Sequence, residues 1–471
     1  MGTKSSLLIA IVIASISVYI SLYWRKTELP KHYRDDNYFG VQNIKDGAKF
    51  PEDDKKIEKF TVNIDESVLI DLKARLNRTR VVDSIAGTNF AYGTNSETLK
   101  KVIDYWMNKY DWRAEEKRLN KYDHFTTQIE GIKIHFLHIK PSNPGSNKVL
   151  PLMLVHGWPG SFVEFYKIIP LLTTPKNGIV FELVIPSIPG FGFSEGGHKQ
   201  GLNVGHTARI FVKLMKRLGH EKFYYHGGDW GAIIGDLAAK YFPENILGYH
   251  TTLLGIPTSP CIFIKTLIGY VFPNFIYENP AVESKMLTPL MDKLIFIIQE
   301  TGYMHLHATK PDTVGAGLND SPAGLASYIL EKFSTWVNPS YIDKPEGGLF
   351  EKFTIDELLT NIMIYWSTES IVTSQRFYRE TLPKLFGPEN AILRLPVKKE
   401  VPVGVAMFEH EIYRFPKFVA KTAFENLIHY ETFSKGGHFA AFEEPEITAN
   451  DIKKFVARCI EAANKEDKEE K

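Results

Sequence analysis

Cysteine is nearly absent from this 471-residue chain: there are two, Cys261 and Cys459, far apart. Such a pair makes neither a disulfide framework nor a zinc-ligand spacing, which argues against a stapled secreted scaffold. An excess of one charge is missing too. Lys+Arg number 56 against Asp+Glu 55, a formal net charge of +1, so no basic patch speaks for a nucleic-acid partner. No internal repeat is found. What remains, 44% hydrophobic and 24% charged residues, is the composition of an ordinary globular enzyme with material for a large core. The 13% aromatic content allows an aromatic-lined pocket, although core packing accounts for it equally. Asn77-Arg78-Thr79 and Asn319-Asp320-Ser321 match the glycosylation pattern, which arises often by chance and goes unused on a cytosolic face.

One long run lacks charge altogether. Ser5 to Trp24 is uncharged, flanked by Lys4 and by Arg25-Lys26. As a helix it spans ~30 Å, the thickness of a bilayer core. A cleaved signal peptide has a shorter apolar region ending in small residues. This one ends in Tyr19-Ile20-Ser21-Leu22-Tyr23-Trp24, an interfacial aromatic belt. A transmembrane anchor over 1–24 is therefore expected. Lys4 is outnumbered by Arg25, Lys26, Lys31 and Arg34, which places the catalytic part of the chain in the cytosol.

A charged linker over 25–50 comes next, and residues 51–130 predict helices and loops. Asp65 can cap a helix carrying Leu69, Leu72 and Leu76; Ser96 can cap another carrying Leu99, Val102, Ile103, Trp106 and Tyr110. From about 131 strands alternate with helices. Val149–Val155 and Val180–Ile185 are apolar runs suited to a sheet covered on both faces. Asn203 to Leu218 predicts a helix stopped by Gly219, and Phe223–His226 a strand followed by a helix from about Ala232 to Tyr241. Val401–Phe408 and Asn426–Phe433 predict the last strands. This alternation implies a mostly parallel sheet between helices. It divides into 131–255 and 371–460, interrupted over 256–370 by an aromatic-rich helical insertion with Gly/Pro-rich loops near Pro311–Pro322 and Pro339–Gly348. The insertion is expected to cap the sheet's C-terminal edge. The tail over 461–471 is expected to be disordered.

In an α/β-hydrolase the nucleophile occupies a sharp strand-to-helix turn with small residues two before and two after. Two segments have that spacing. Gly192-Phe193-Ser194-Glu195-Gly196 lies in a glycine-rich loop without a following helix, so Ser194 lacks the elbow. Gly227-Gly228-Asp229-Trp230-Gly231 has the strand before and the helix after. Asp229 could merely cap that helix, but acid and base partners come later in the expected order. A carboxylate nucleophile displaces a leaving group at an sp³ carbon and leaves an ester on the enzyme. The oxyanion hole must then face Asp229's own carbonyl, and the backbone N–H groups of Trp158 and Trp230 are the candidates. His438, in Gly436-Gly437-His438-Phe439, is placed as the general base for water, a task requiring its neutral form at working pH. Glu411 would orient it, with Glu409 as competitor. His305-Leu306-His307 lacks companion ligands and predicts no metal; no cofactor is expected.

These motifs carry a resemblance. His156-Gly157-Trp158-Pro159-Gly160, Gly227–Gly231, Gly302-Tyr303-Met304-His305, Ser374-Gln375-Arg376-Phe377-Tyr378 and Gly436–Glu443 are similar to the microsomal epoxide hydrolase family, including insect juvenile hormone epoxide hydrolases, over about residues 50–460. The resemblance implies an α/β-hydrolase fold with a helical cap, and water addition to lipophilic epoxides on the endoplasmic reticulum membrane. It further implies that Tyr303 and Tyr378 donate hydrogen bonds to the epoxide oxygen. A phenol of pKa near 10 suits that role, since it stays protonated at pH 7. Tyr365 is the alternative to Tyr378. One departure is His226, where an uncharged glutamine-like residue is expected. A haloalkane-type dehalogenase would share the Asp, His and carboxylate but has no use for paired phenols. A hormone-binding protein on an inactive hydrolase would lack part of the triad.

Overall fold

The computed structural model describes residues 28–469 apart from 46, 176–177, 256–259, 388 and 390. The expected anchor over 1–24 lies outside the described residues. Among those described, no helix is long and apolar enough to cross a membrane.

The charged linker expected over 25–50 is docked on the fold at Tyr33 and Phe39. Tyr33 and Phe39 are buried, because Arg209, deep in the sheet-covering helix, pairs with Glu130 at 2.6 Å and donates to the Tyr33 carbonyl. Residues 51–130 hold three helices, α1 (Glu66–Asn77), α2 (Ser96–Asn108) and α3 (Trp112–Leu119). They also hold two strands that the residue pattern does not predict, β1 (Glu58–Phe60) and β2 (His124–Ile129). Asp65 caps α1 through the Ser67 N–H, as its sequence predicts. Asn95, not Ser96, caps α2, since Ser96 exchanges hydrogen bonds with Ser84 at 2.9 Å.

The sheet continues with β3 (Ile132–Ile139), β4 (Lys148–Val155), β5 (Ile179–Pro186), β6 (Phe223–Gly227), β7 (Ile246–Thr251), β8 (Val403–Met407) and β9 (Leu427–Thr432). The nine strands run in the order β1-β2-β3-β5-β4-β6-β7-β8-β9. The pairs from β1 to β5 are antiparallel and those from β5 through β4 to β9 parallel. Successive strands β5 and β6 lie on opposite sides of β4. Their connections diverge there and open a crevice at the strand ends, where ligands of open α/β sheets bind. Helices α4 (Val204–Arg217, capped by the Asn203 side chain) and α5 (Asp229–Tyr241) cover the sheet.

Between β7 and β8 the chain forms the cap: α6 (Pro260–Val271), α7 (Leu290–Glu300), α8 (Gly302–Thr309), α9 (Pro311–Asp320), α10 (Pro322–Leu330), α11 (Ile355–Thr368) and α12 (Ser370–Leu385) with shorter pieces. The segment read as a loop near Pro311 is helical, because Pro311 stands at a helix start where its missing N–H costs nothing. Helix α12 packs on α8 and α9, so the cap extends beyond residue 370. The C-terminal helix α13 (Pro445–Glu469) reaches into the tail expected to be disordered.

Candidate active site

Asp229 lies where β6 turns into α5. Its φ is +47°, a strained conformation for a non-glycine residue that projects the side chain out of the turn. The turn closes only around small neighbours. A Cβ on Gly231 would lie 2.1 Å from the Val155 carbonyl oxygen, and one on Gly157 would lie 2.2 Å from Asp229 Oδ1. Gly228, not Asp229, is the N-cap of α5. The carboxylate therefore stands at the helix N-terminus with its oxygens turned into the crevice, where the macrodipole favours negative charge.

Three groups surround that carboxylate. The Trp158 N–H, on the loop after β4, donates to Oδ1 at 2.8 Å. Trp230 N–H makes no side-chain bond among the described residues, so only one of the two candidate oxyanion donors touches Asp229 in this state. His438 Nε2 stands 3.4 Å from Oδ2. On its other side His438 Nδ1 donates to Glu411 Oε1 at 2.8 Å, and the same oxygen accepts the Ile412 N–H at 2.8 Å. Glu409 is engaged elsewhere, held in a fork by Arg414 at 3.1 and 3.0 Å. The His438 loop is clamped by Glu443, which accepts the Gly437 and Phe439 N–H groups at 2.7 and 2.8 Å, and by the Trp336 carbonyl, which accepts the His438 N–H at 3.0 Å.

Burial alone disfavours a charged imidazole, yet the carboxylates of Glu411 and Asp229 outweigh it and hold the His438 pKa well above its ordinary value. His438 thus stands between two carboxylates that favour its protonated form while Asp229 keeps its charge. The neutral form is needed only after Asp229 has lost its charge. Burial also raises Glu164, with Asp229 adding and His438 and the Gly157 N–H subtracting, to about 8. This carboxylic acid beside the nucleophile loop escapes detection in the sequence, where nothing distinguishes it from a surface glutamate.

Tyr303 and Tyr378 face Asp229 from α8 and α12. The Tyr303 ring stacks on Trp158 with centroids 4.7 Å apart, and the Tyr378 ring meets Trp230 at 4.6 Å. Burial first, and the Asp229 charge with it, raise both phenols well above 10. The two hydroxyls are near enough to influence each other's ionisation. Even so, among the described residues no atom meets the buried Tyr378 hydroxyl in full hydrogen-bond geometry. Tyr365 is committed differently, donating to the Gly160 carbonyl at 2.7 Å. Around these groups runs an apolar cavity walled by Ile233, Leu253, Leu254, Met304, Leu382, Leu385, Leu393 and Ile412, with Asp229, Tyr303, Tyr378 and His438 at its floor.

The other candidates fall away. Ser194 Oγ donates to the Ser187 carbonyl at 2.8 Å and accepts the His135 N–H at 2.9 Å, pinning a loop. His307 is buried against Trp158 with Nε2 3.0 Å from the Tyr328 hydroxyl, and burial lowers its pKa to about 3. His226 is buried in a chain running through His250 and Asp451 to His429 at 2.8–3.0 Å.

Comparison with known proteins gives the family and the fold. Residues 57–165 match the model "Epoxide hydrolase N terminus" and residues 151–277 the alpha/beta hydrolase fold. The chain is 44% identical to Epoxide hydrolase 1 of Oryctolagus cuniculus over 96% of its own length and 99% of that protein. It is 43% identical to Juvenile hormone epoxide hydrolase 1 of Ctenocephalides felis, covering 99% and 100%. The crystal structure of juvenile hormone epoxide hydrolase from the silkworm Bombyx mori superposes with a TM-score of 0.85 at 39% identity, covering 91% of this chain and 99% of that one.

Proposed function

The chain belongs to the epoxide hydrolase family, and from that premise we propose that it adds water to lipophilic epoxides through an ester on Asp229. It is an enzyme, an epoxide hydrolase; the roles assigned to its residues are our reading. The observation that carries it is the Tyr378 hydroxyl, buried beside Tyr303 in an apolar cavity that Asp229 also lines, with no partner in full hydrogen-bond geometry among the described residues. An epoxide placed between them meets a nucleophile on one side and donors on the other.

Asp229 Oδ2, the oxygen facing the cavity beside His438, attacks a ring carbon and the C–O bond breaks. The freed oxygen takes a proton from a phenol, which His438 replenishes. One carboxylate charge and one imidazolium charge disappear together. With the Asp229 charge gone, His438 has lost one of the two carboxylates that held it protonated, and as a neutral base it deprotonates water. The hydroxide adds to the Asp229 carbonyl carbon, whose oxygen sits on the Trp158 N–H. Collapse gives the Asp229 carboxylic acid and the alkoxide of the diol; the acid proton passes to that alkoxide, leaving the Asp229 carboxylate beside the imidazolium that formed when His438 deprotonated water. Glu411 keeps Nδ1 of the ring fixed throughout.

The apolar walls suit a lipophilic epoxide, and we propose a xenobiotic epoxide or juvenile hormone as substrate. The uncharged run from Ser5 to Trp24 supports anchorage in the endoplasmic reticulum membrane with the catalytic part in the cytosol.

His438→Gln separates the two steps, because ring opening needs Asp229 and the donors, with solvent resupplying the phenol proton that His438 otherwise returns, whereas hydrolysis needs the base. The variant is expected to consume about one equivalent of epoxide and stop, with the substrate's mass on the peptide containing Asp229; Asp229→Ala forms no adduct. An adduct on Ser194, or none in His438→Gln, would refute the mechanism.

A further inference from the structure

More than half of the large apolar side chains exposed among the described residues lie between residues 263 and 298, on the cap. Helix α6 turns its apolar residues outward: Ile264 is 55% exposed, Leu267 51% and Val271 63%, and the turn beyond it adds Phe272 at 63% and Phe275 at 81%. From residue 260 to 277 the one charged side chain is Lys265. On α7, Ile298 is 64% exposed with its apolar neighbours along that helix. Soluble monomers seldom leave so much contiguous sequence of this kind uncovered.

We propose that this cap surface rests on a phospholipid bilayer, with α6 lying in the plane of the headgroups. Three observations select lipid as the occupant. The exposed helices adjoin the cavity wall in the chain: α7 ends on Glu300, which lines the cavity with Thr301, and α6 begins at Pro260, five positions beyond Gly255, which lines it with Leu254. A substrate dissolved in lipid therefore reaches the cavity without crossing water. Tyr270 near the C-terminal end of α6, with Phe272 and Phe275 just beyond it, places aromatic rings on this apolar surface as at a membrane–water interface. At 12 residues α6 is too short to span a core of ~30 Å. The chain's described N-terminal end is tied to the root of the same cap. Tyr33 donates to Glu389, the Ile392 carbonyl accepts from Lys240, and Leu393 lies against Gly255, before the chain returns to the sheet at Val403. A tether emerging there holds the cap against the membrane that the tether enters.

This rests on the proposed membrane anchor and lipophilic substrate, and the experiment separates them. The full chain, with Cys261→Ser, is reconstituted in phosphatidylcholine vesicles with and without brominated acyl chains. An NBD label is placed through Phe275→Cys or, as control, through Lys216→Cys at the far end of α4. The label at 275 is expected to shift to the blue and lose intensity in brominated vesicles, and the label at 216 to do neither. Vesicle association without quenching at 275 overturns the cap surface and leaves the anchor standing; loss of all association overturns both. Shielding at 275 that depends on protein density and ignores bromine assigns the surface to a second copy and overturns the proposal. In parallel, Phe272→Ser with Phe275→Ser is expected to raise KM for a vesicle-partitioned epoxide about tenfold while leaving hydrolysis of a small water-soluble epoxide unchanged. Equal KM values in variant and parent would also overturn it.

Discussion

The sheet edge and the cap meet over the same cavity but are built on opposite terms. On the sheet side, Asp229, His438 and Glu411 are charged, fixed by bonds of 2.8–3.4 Å, and seated in loops whose glycines admit no larger residue. On the cap side, the phenols of Tyr303 and Tyr378 are placed mainly by ring packing, and the Tyr378 hydroxyl has no partner in full hydrogen-bond geometry among the described residues. The difference reflects the work each must do. Charges inside a protein need compensation in place before substrate arrives, whereas a donor for a developing alkoxide is useful only if its proton is still free.

The sharpest way to break this contrast is to remove the free donors. Tyr303→Phe or Tyr378→Phe is expected to slow epoxide opening by on the order of 10²–10⁴-fold. The double variant should be nearly inactive and non-additive, because one phenol partly covers for the other. Single-turnover alkylation rates provide the test, and full activity in the double variant would take both tyrosines out of the chemistry.

The sheet side is probed through its charges. Asp229→Ala deletes one of the two carboxylates that hold His438 protonated, so the His438 pKa should fall back towards its ordinary range. Nitrogen-detected NMR of the ring should report an imidazolium at pH 7 in the parent and a lower titration midpoint in the variant. An unchanged midpoint would mean that ester formation does not release the base.

A smaller effect concerns stability. Burial depresses His135 and His226 well below their ordinary value, His156 to about 4, and His206 and His307 to about 3. The folded chain leaves these rings neutral below pH ~6.5, where the unfolded chain protonates them. Their contribution is therefore complete above that pH and is lost as pH falls through it. Glu164 and Glu443, raised by burial to about 8, act in the opposite sense but are outnumbered. His226→Gln should make the acid-side loss shallower by about 1.4 kcal/mol per pH unit, read from denaturant unfolding between pH 7 and 5. An unaltered slope would contradict the assignment.

The smallest expected change is in Ser194→Ala. Turnover should be unaffected, with about 1 kcal/mol of stability lost with the two loop hydrogen bonds. A large loss of turnover would return Ser194 to the site.

The two glycine-flanked turns mark how far the sequence could be read. Gly192–Gly196 and Gly227–Gly231 share one spacing, and the flanking pattern alone separated them, because a nucleophile elbow requires a buried strand before it and a helix after it. Most strands and helices of the parallel region were likewise legible, being apolar runs between glycine-marked turns. The edge strands β1 and β2 were not, since three to six residues that pair antiparallel leave little periodic signal. Nor was the docking of Tyr33 and Phe39, which depends on Arg209 and Glu130, distant in the chain. The choice of Glu411 over Glu409 turned on Arg414, and the choice of Tyr378 over Tyr365 on the Gly160 carbonyl; neither pairing is written in a motif.

By itself, then, the sequence determined the α/β order, the Asp229 elbow, its His438 partner and an uncharged N-terminal run, because each is a local pattern of size, polarity or backbone freedom. Only the tertiary structure decided which carboxylate holds the histidine, which phenol stays unpartnered, that His438 lies between two carboxylates, and that the cap turns its apolar helices outward. Those are matters of which groups meet across the fold, and electrostatics and desolvation act through space rather than along the chain.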